Sequence, residues 1–71
     1  MLTFDELDAR FTYHRPTDEQ AKKYTSIRGR ARAFAELIDV SCPDSREKSL
    51  AITKLEEAVM WANASIARRE D

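Results

Sequence analysis

Apolar positions along the chain fall into three stretches. Each is opened by a side-chain acceptor with Glu or Gln three residues on, the pairing by which a helix cap and first turn satisfy each other's free N–H groups. Thr3-Phe4-Asp5-Glu6, with Leu2 and Leu7 placed as a hydrophobic staple, predicts a short helix over about 3–10. A loop over 11–16 follows. Thr17-Asp18-Glu19-Gln20, after Pro16, opens a helix over about 17–40 that Pro43 stops, and Asp44-Ser45-Arg46-Glu47 opens a third over about 44–69. In the second helix Tyr24, Ile27, Ala31, Phe34 and Ile38 recur at steps of three and four, and Ile52, Leu55, Val59, Ala62 and Ile66 do so in the third. Each helix therefore carries one lengthwise seam. The short Ser41–Pro43 connection makes the two antiparallel neighbours, with arms about 33 to 38 Å long. The predicted class is all-α: a short N-terminal helix followed by a long antiparallel helical hairpin, in one domain of residues 1–71.

Composition tightens this picture. A chain of 71 residues, 42% hydrophobic and 35% charged, with one Gly and two Pro, holds one small domain with a thin core and argues against a sandwich, a barrel or a Gly-rich phosphate loop. No apolar run nears the roughly 20 residues of a membrane span, and Asp5, Glu6 and Asp8 stand where a signal peptide would be basic and then apolar. A soluble, cytoplasmic protein with no membrane partner is expected. Cys42 is the single cysteine, which excludes an internal disulfide and zinc sites built on paired cysteines.

An unstapled core of this size supplies only about 3–5 kcal/mol, so a homo-oligomer is expected. The third helix also has a second apolar patch, Leu50, Met60, Trp61 and Ala64. Either the first helix folds back over it through Phe4, Leu7 and Phe11, or another chain covers it; the small area an isolated hairpin buries favours a subunit interface. Gly29, inside a helix at a cost of about 1 kcal/mol, points to a close approach by another backbone or a ligand.

The formal net charge of −1 conceals a segregation. Between Ala21 and Ala35 stand Lys22, Lys23, Arg28, Arg30 and Arg32 with no acid. Such a run is ordinarily a solvated face, here able to pair across the hairpin with Glu56 and Glu57. The antiparallel arrangement also brings Arg15, Lys22, Lys23, Arg68 and Arg69 to one end, with Asp18, Glu19, Glu70 and Asp71 offsetting part of the charge. Phe11-Thr12-Tyr13-His14 lies at that same end. Aromatic rings beside guanidinium groups suit a nucleobase with phosphates, by stacking and charge-assisted hydrogen bonds. The plainer alternative is a Tyr13 packed on the hairpin mouth and a His14 that hydrogen-bonds the loop. Duplex DNA is not an expected partner, because the chain as a whole is slightly acidic.

Catalytic and metal chemistry find little to use. His14 is the one histidine, Cys42 lies at the far end of the hairpin from it, and Glu56 and Glu57 are adjacent on a helix and so do not face one another. No catalytic residues, metal ligands or cofactors are expected.

Three segments carry a resemblance: Phe11-Thr12-Tyr13-His14-Arg15-Pro16, the helix from Tyr24 to Ile38, and the block from Cys42 to Arg68 containing Ser45-Arg46-Glu47-Lys48-Ser49 and Met60-Trp61-Ala62-Asn63-Ala64. Over nearly the whole chain they resemble the bacteriophage anti-CBASS cyclic-oligonucleotide sponges, a hairpin shared with Thoeris-inhibiting sponges for cyclic ADP-ribose signals. The resemblance implies a non-enzymatic homo-hexamer, a trimer of dimers, acting in the cytoplasm of the infected bacterial host. It would sequester cyclic dinucleotides such as cyclic GMP-AMP between two protomers. Tyr13 matches the tyrosine that stacks on a base and Arg28 the basic residue that meets a phosphate, with His14 beside them. A separate family site for cyclic trinucleotides would fall to Arg30 with Arg68 or Arg69. A rival reading, from the residues alone, is a small adaptor that docks a protein partner through the Trp61 patch.

Overall fold

Side-chain caps set the helix starts. In a computed structural model that describes residues 1–70, α1 spans Phe4–Phe11, α2 Asp18–Ser41 and α3 Arg46–Arg69. The described residues are all helical apart from the connections, with no strand. At α2, Thr17 Oγ1 accepts from the Gln20 N–H while the Gln20 side chain accepts from the Thr17 N–H, a complete reciprocal cap. At α1, Thr3 accepts from the Glu6 N–H, but the Glu6 carboxylate is turned elsewhere. The third cap is Ser45 and not Asp44: the Ser45 hydroxyl accepts from the Lys48 N–H and donates to the Pro43 carbonyl. Asp44 is drawn off by the Lys48 ammonium, 2.8 Å away.

α2 ends without a left-handed residue. Cys42, which precedes Pro43, is extended at φ −108° and ψ 140°, and its N–H still reaches the Ile38 carbonyl. Lys48 then ties the two arms together, donating to the Asp39 carbonyl and pairing with the carboxylates of Asp39 and Asp44. At the open end Gln20 donates to Ile66 O and to Glu70, and Lys23 pairs with Glu70. These pairs hold the antiparallel register.

The seam between the arms differs from the expected one at a single large residue. The half-buried positions on α2 are Gln20, Tyr24, Ile27, Ala31, Ala35 and Ile38. Phe34 is 54% exposed. The expected seam repeats every 3.5 residues, whereas the observed one follows the 3.6-residue repeat of a straight helix, and that drift moves the contact from Phe34 to Ala35. On α3 the half-buried positions are Lys48, Ile52, Leu55, Val59, Ala62, Asn63, Ala64, Ile66, Ala67 and Arg68.

The result is a thin plate of 46 × 33 × 13 Å with a radius of gyration of 15.4 Å. A compact domain of this length would have about 11 Å. No described residue is buried. α1 does not cover the apolar patch of α3: Phe4 is 82% exposed, Phe11 81% and Trp61 63%. Within its own chain Gly29 stands in open space: a Cβ built there meets nothing within 4 Å. Gly29→Ala should therefore raise the thermal stability of the isolated hairpin by up to about 1 kcal/mol through helix propensity alone. A loss of assembly on gel filtration would instead place a second chain against that position.

Candidate functional site

Two concavities receive the cationic side chains. The first is a groove of about 400 Å³ on one broad face of the hairpin, where Arg28, Ala35 and Arg32 from α2 meet Ile52, Glu56 and Met60 from α3. Its floor is apolar. The arginines of the basic run do not pair across the hairpin with Glu56 or Glu57 as the pattern allowed: Arg32 pairs with Glu36 on its own helix, Lys54 takes Glu57, and Arg28 and Arg30 make no ion pair among the described residues. Acids four residues away on the same helix are always within reach, whereas a cross-hairpin pair depends on how each helix is turned about its axis. Arg28 is thus a guanidinium beside an apolar groove with its donors free.

The second concavity, about 550 Å³, lies where the end of α1 meets the end of α3, and contains Arg68 and Arg69 together with Arg10, Phe11, Trp61 and Ser65. Of its arginines, Arg69 is held by α1. Glu6 accepts from both Nη atoms of Arg69 at 3.4 Å and pairs with Arg10 Nε at 3.6 Å. The Arg69 hydrogen bonds, and then its charge, pull the Glu6 carboxyl below its ordinary range. The sequence marked Glu6 as the partner of the Thr3 cap and gave neither it nor Arg10 a place in a site. The available signal was the spacing of Trp61, Ser65 and Arg68, three and four residues apart on one face of α3.

The five cations expected to gather at the open end are largely spoken for. Lys22 pairs with Glu19, Lys23 with Glu70 and Arg69 with Glu6. Arg15 and Arg68 make no ion pair among the described residues; the offset expected from Asp71 lies outside them. Lys23 is raised above its usual range by the hydrogen bond to Glu70, and Glu70 is correspondingly lowered.

Tyr13 stands on the α1–α2 connection, 82% exposed, and lines neither concavity. His14 Nε2–H donates to the Ala9 carbonyl at 2.9 Å, folding the connection against α1. Arg28 sits ten residues into α2, about 15 Å up the hairpin from its start. One chain does not bring Tyr13 and Arg28 together. Arg30 lies roughly 160° around α2 from Arg28, and Arg68 and Arg69 belong to the other concavity. Any site that uses these residues jointly is completed by a second chain. Among the described residues no cluster of three or more His, Cys, Asp or Glu side chains could hold a metal ion, and no helix is long and apolar enough to cross a membrane.

The Glu6–Arg69 contact makes α1 docking acid-sensitive. A carboxyl whose folded value is depressed contributes stability that is fully present above its unfolded value, about 4.3, and is lost as pH falls through the lower folded value. Acid titration through and below the ordinary carboxylate range should therefore weaken the hold of α3 on α1, seen as a change in Trp61 emission. Glu6→Gln should remove that step.

The residues from 5 to 67 match the family model for the Acb2/Tad1 hairpin domain. No curated protein and no solved structure matches the chain.

Proposed function

Because the chain belongs to the Acb2/Tad1 hairpin family of phage anti-CBASS and anti-Thoeris sponge proteins, we propose that it is a non-enzymatic sponge for cyclic dinucleotides such as cyclic GMP-AMP. It holds them without cleavage, inhibiting CBASS-type defence in the cytoplasm of the infected host. The observation that carries this reading is Arg28: a guanidinium that makes no ion pair among the described residues, at the rim of a largely apolar groove that also holds Glu56. Such a group suits a phosphate, since charge-assisted bonds to phosphate are short and forked.

The reading requires assembly, and the plate-like chain supports it. With none of its described residues buried, the hairpin lacks the core a lone domain needs. Two-fold pairing would repeat Tyr13 and Arg28 about an axis and present two rings and two guanidiniums to a ligand with two phosphates. His14, bonded to Ala9, would set the position of Tyr13. A three-fold arrangement of such dimers, a homo-hexamer, would gather Arg30 from one chain with Arg68 or Arg69 from another around a cyclic trinucleotide. Phe34, Leu37 and Val40, 54%, 56% and 81% exposed, supply an apolar face on α2 for the contacts between chains.

Thermal melting with cyclic GMP-AMP tests the proposal. At 100 times its dissociation constant a ligand adds roughly 2.7 kcal/mol, which for a chain of this size raises Tm by about 10 to 20 °C. If no cyclic di- or trinucleotide shifts the melt, the sponge reading fails, and the adaptor reading through the exposed Trp61 takes its place.

A further inference from the structure

The groove beside Arg28 carries one acid that its neighbours leave alone. Ile52, Val59 and Met60 belong to its largely apolar lining, and Glu56 is the single carboxylate among the residues that form it. Arg32 is taken by Glu36 on its own helix and Lys54 by Glu57, so Glu56 makes no ion pair and no hydrogen bond among the described residues. The hairpin register sets Glu56 apart from Arg28. Gln20 donates to the Ile66 carbonyl and Lys48 to the Asp39 carbonyl, which puts Arg28 level with Ala58 or Val59. Glu56 then lies about 3–5 Å further along the hairpin and on the opposite arm, about 8–10 Å across. A purine nucleotide with its phosphate at Arg28 can therefore lie flat on the apolar floor and bring the outer edge of its base to Glu56.

A carboxylate in that place repels phosphate and gains nothing from an apolar floor, so the partner it suits is one rich in donors. An ionised carboxylate only accepts hydrogen bonds. Guanine is the base whose Watson–Crick edge sets two N–H donors side by side, at N1 and N2. Adenine and cytosine place a ring-nitrogen acceptor beside a single amino group, and uracil flanks its N3–H with two carbonyls. We propose that Glu56 is the specificity residue of this groove and selects guanine, its two oxygens accepting from N1–H and N2–H of the base whose phosphate Arg28 holds. This rests on the sponge reading above and adds which base the sponge takes. Two-fold pairing repeats Glu56 together with Arg28, so a ligand with two guanines is read twice. Any other base leaves the carboxylate facing an acceptor, a mismatch that a site built on hydrogen bonds rejects strongly.

The test is isothermal titration of the full chain with cyclic di-GMP, cyclic GMP-AMP and cyclic di-AMP, as wild type, Glu56→Gln and Glu56→Ala. Glu56 is exposed and outside the seam, so circular dichroism and gel filtration should find both variants helical and assembled as the wild type is. The wild type should bind cyclic di-GMP most tightly, then cyclic GMP-AMP, then cyclic di-AMP, with each guanine gaining about 5- to 150-fold over adenine. A glutamine accepts from the adenine amino group while donating to its N1. Glu56→Gln should therefore reverse the order, and Glu56→Ala should level it. A guanine preference that persists in Glu56→Ala overturns the inference. So does a Glu56→Gln variant that changes all three affinities by one factor, since Glu56 then acts as a charge on the phosphates and reads no base. The wild-type comparison decides even if a variant fails to fold. If the wild type binds the three dinucleotides equally, only this inference falls; if it binds none, the sponge reading falls with it.

Discussion

Arg28→Ala abolishes capture of a cyclic dinucleotide and leaves the assembly intact. Arg28 makes no ion pair among the described residues and lies at the flank of the seam, beside half-buried Ile27, so its removal costs the fold little. Its loss to the ligand is large, because a hydrogen bond to a charged group is worth about 1.5–3 kcal/mol and two-fold pairing doubles it. The combined loss of about 3–6 kcal/mol corresponds to roughly 10²- to 10⁴-fold in affinity. Tyr13→Ala acts in the same direction through stacking, at about 1–3 kcal/mol per base. Arg28→Lys keeps the charge, replaces a fork by a point donor and falls between the two proteins. Isothermal titration with cyclic GMP-AMP, alongside gel filtration, measures both effects. Unchanged affinity in either alanine variant removes that residue from the site.

Phe34→Asp dissociates the protein, and the dissociated chain loses helix. None of the described residues is buried in a plate 13 Å thick. A large apolar side chain buried in an interface contributes about 1.5–3 kcal/mol, and a two-fold contact counts it twice, for about 3–6 kcal/mol. That is comparable to the roughly 3–5 kcal/mol a lone core of this size supplies. Leu37→Asp on the neighbouring turn behaves alike. The wild-type melting temperature should rise with protein concentration, since assembly and folding are then one equilibrium. Gel filtration and circular dichroism at micromolar concentration check both statements. A monomeric, fully helical wild type with a concentration-independent melt would remove the basis of the assembly and of any site shared between chains.

Both expectations draw on information of two ranges. The helical class, the antiparallel hairpin and the caps at Thr3 and Thr17 are properties of residues within four positions of one another, and the covalent chain fixes those distances before any packing occurs. Even here local competition decided one detail. Asp44 and Ser45 are both acceptors at the start of α3, and Ser45 caps because the Lys48 ammonium draws Asp44 away. The seam was legible as a stripe but not to the residue, since a repeat of 3.5 and one of 3.6 diverge only after several turns, which is where Phe34 yields to Ala35.

The amino-acid sequence by itself determined three amphipathic helices, the sense of their hairpin, the family, and a surplus of arginine on α2 without enough acid to neutralise it. Tertiary structure alone decided which distant acids the cations meet. Lys23 turned to Glu70 and Arg69 to Glu6, sixty-three residues away in the chain, while Arg28 was left without an ion pair among the described residues. Spacing along a helix is set by covalent geometry, but the partner of a long side chain depends on how one helix is rotated and shifted against another. Those two variables are settled by the sum of many weak contacts across the seam, and no short stretch of sequence carries that sum.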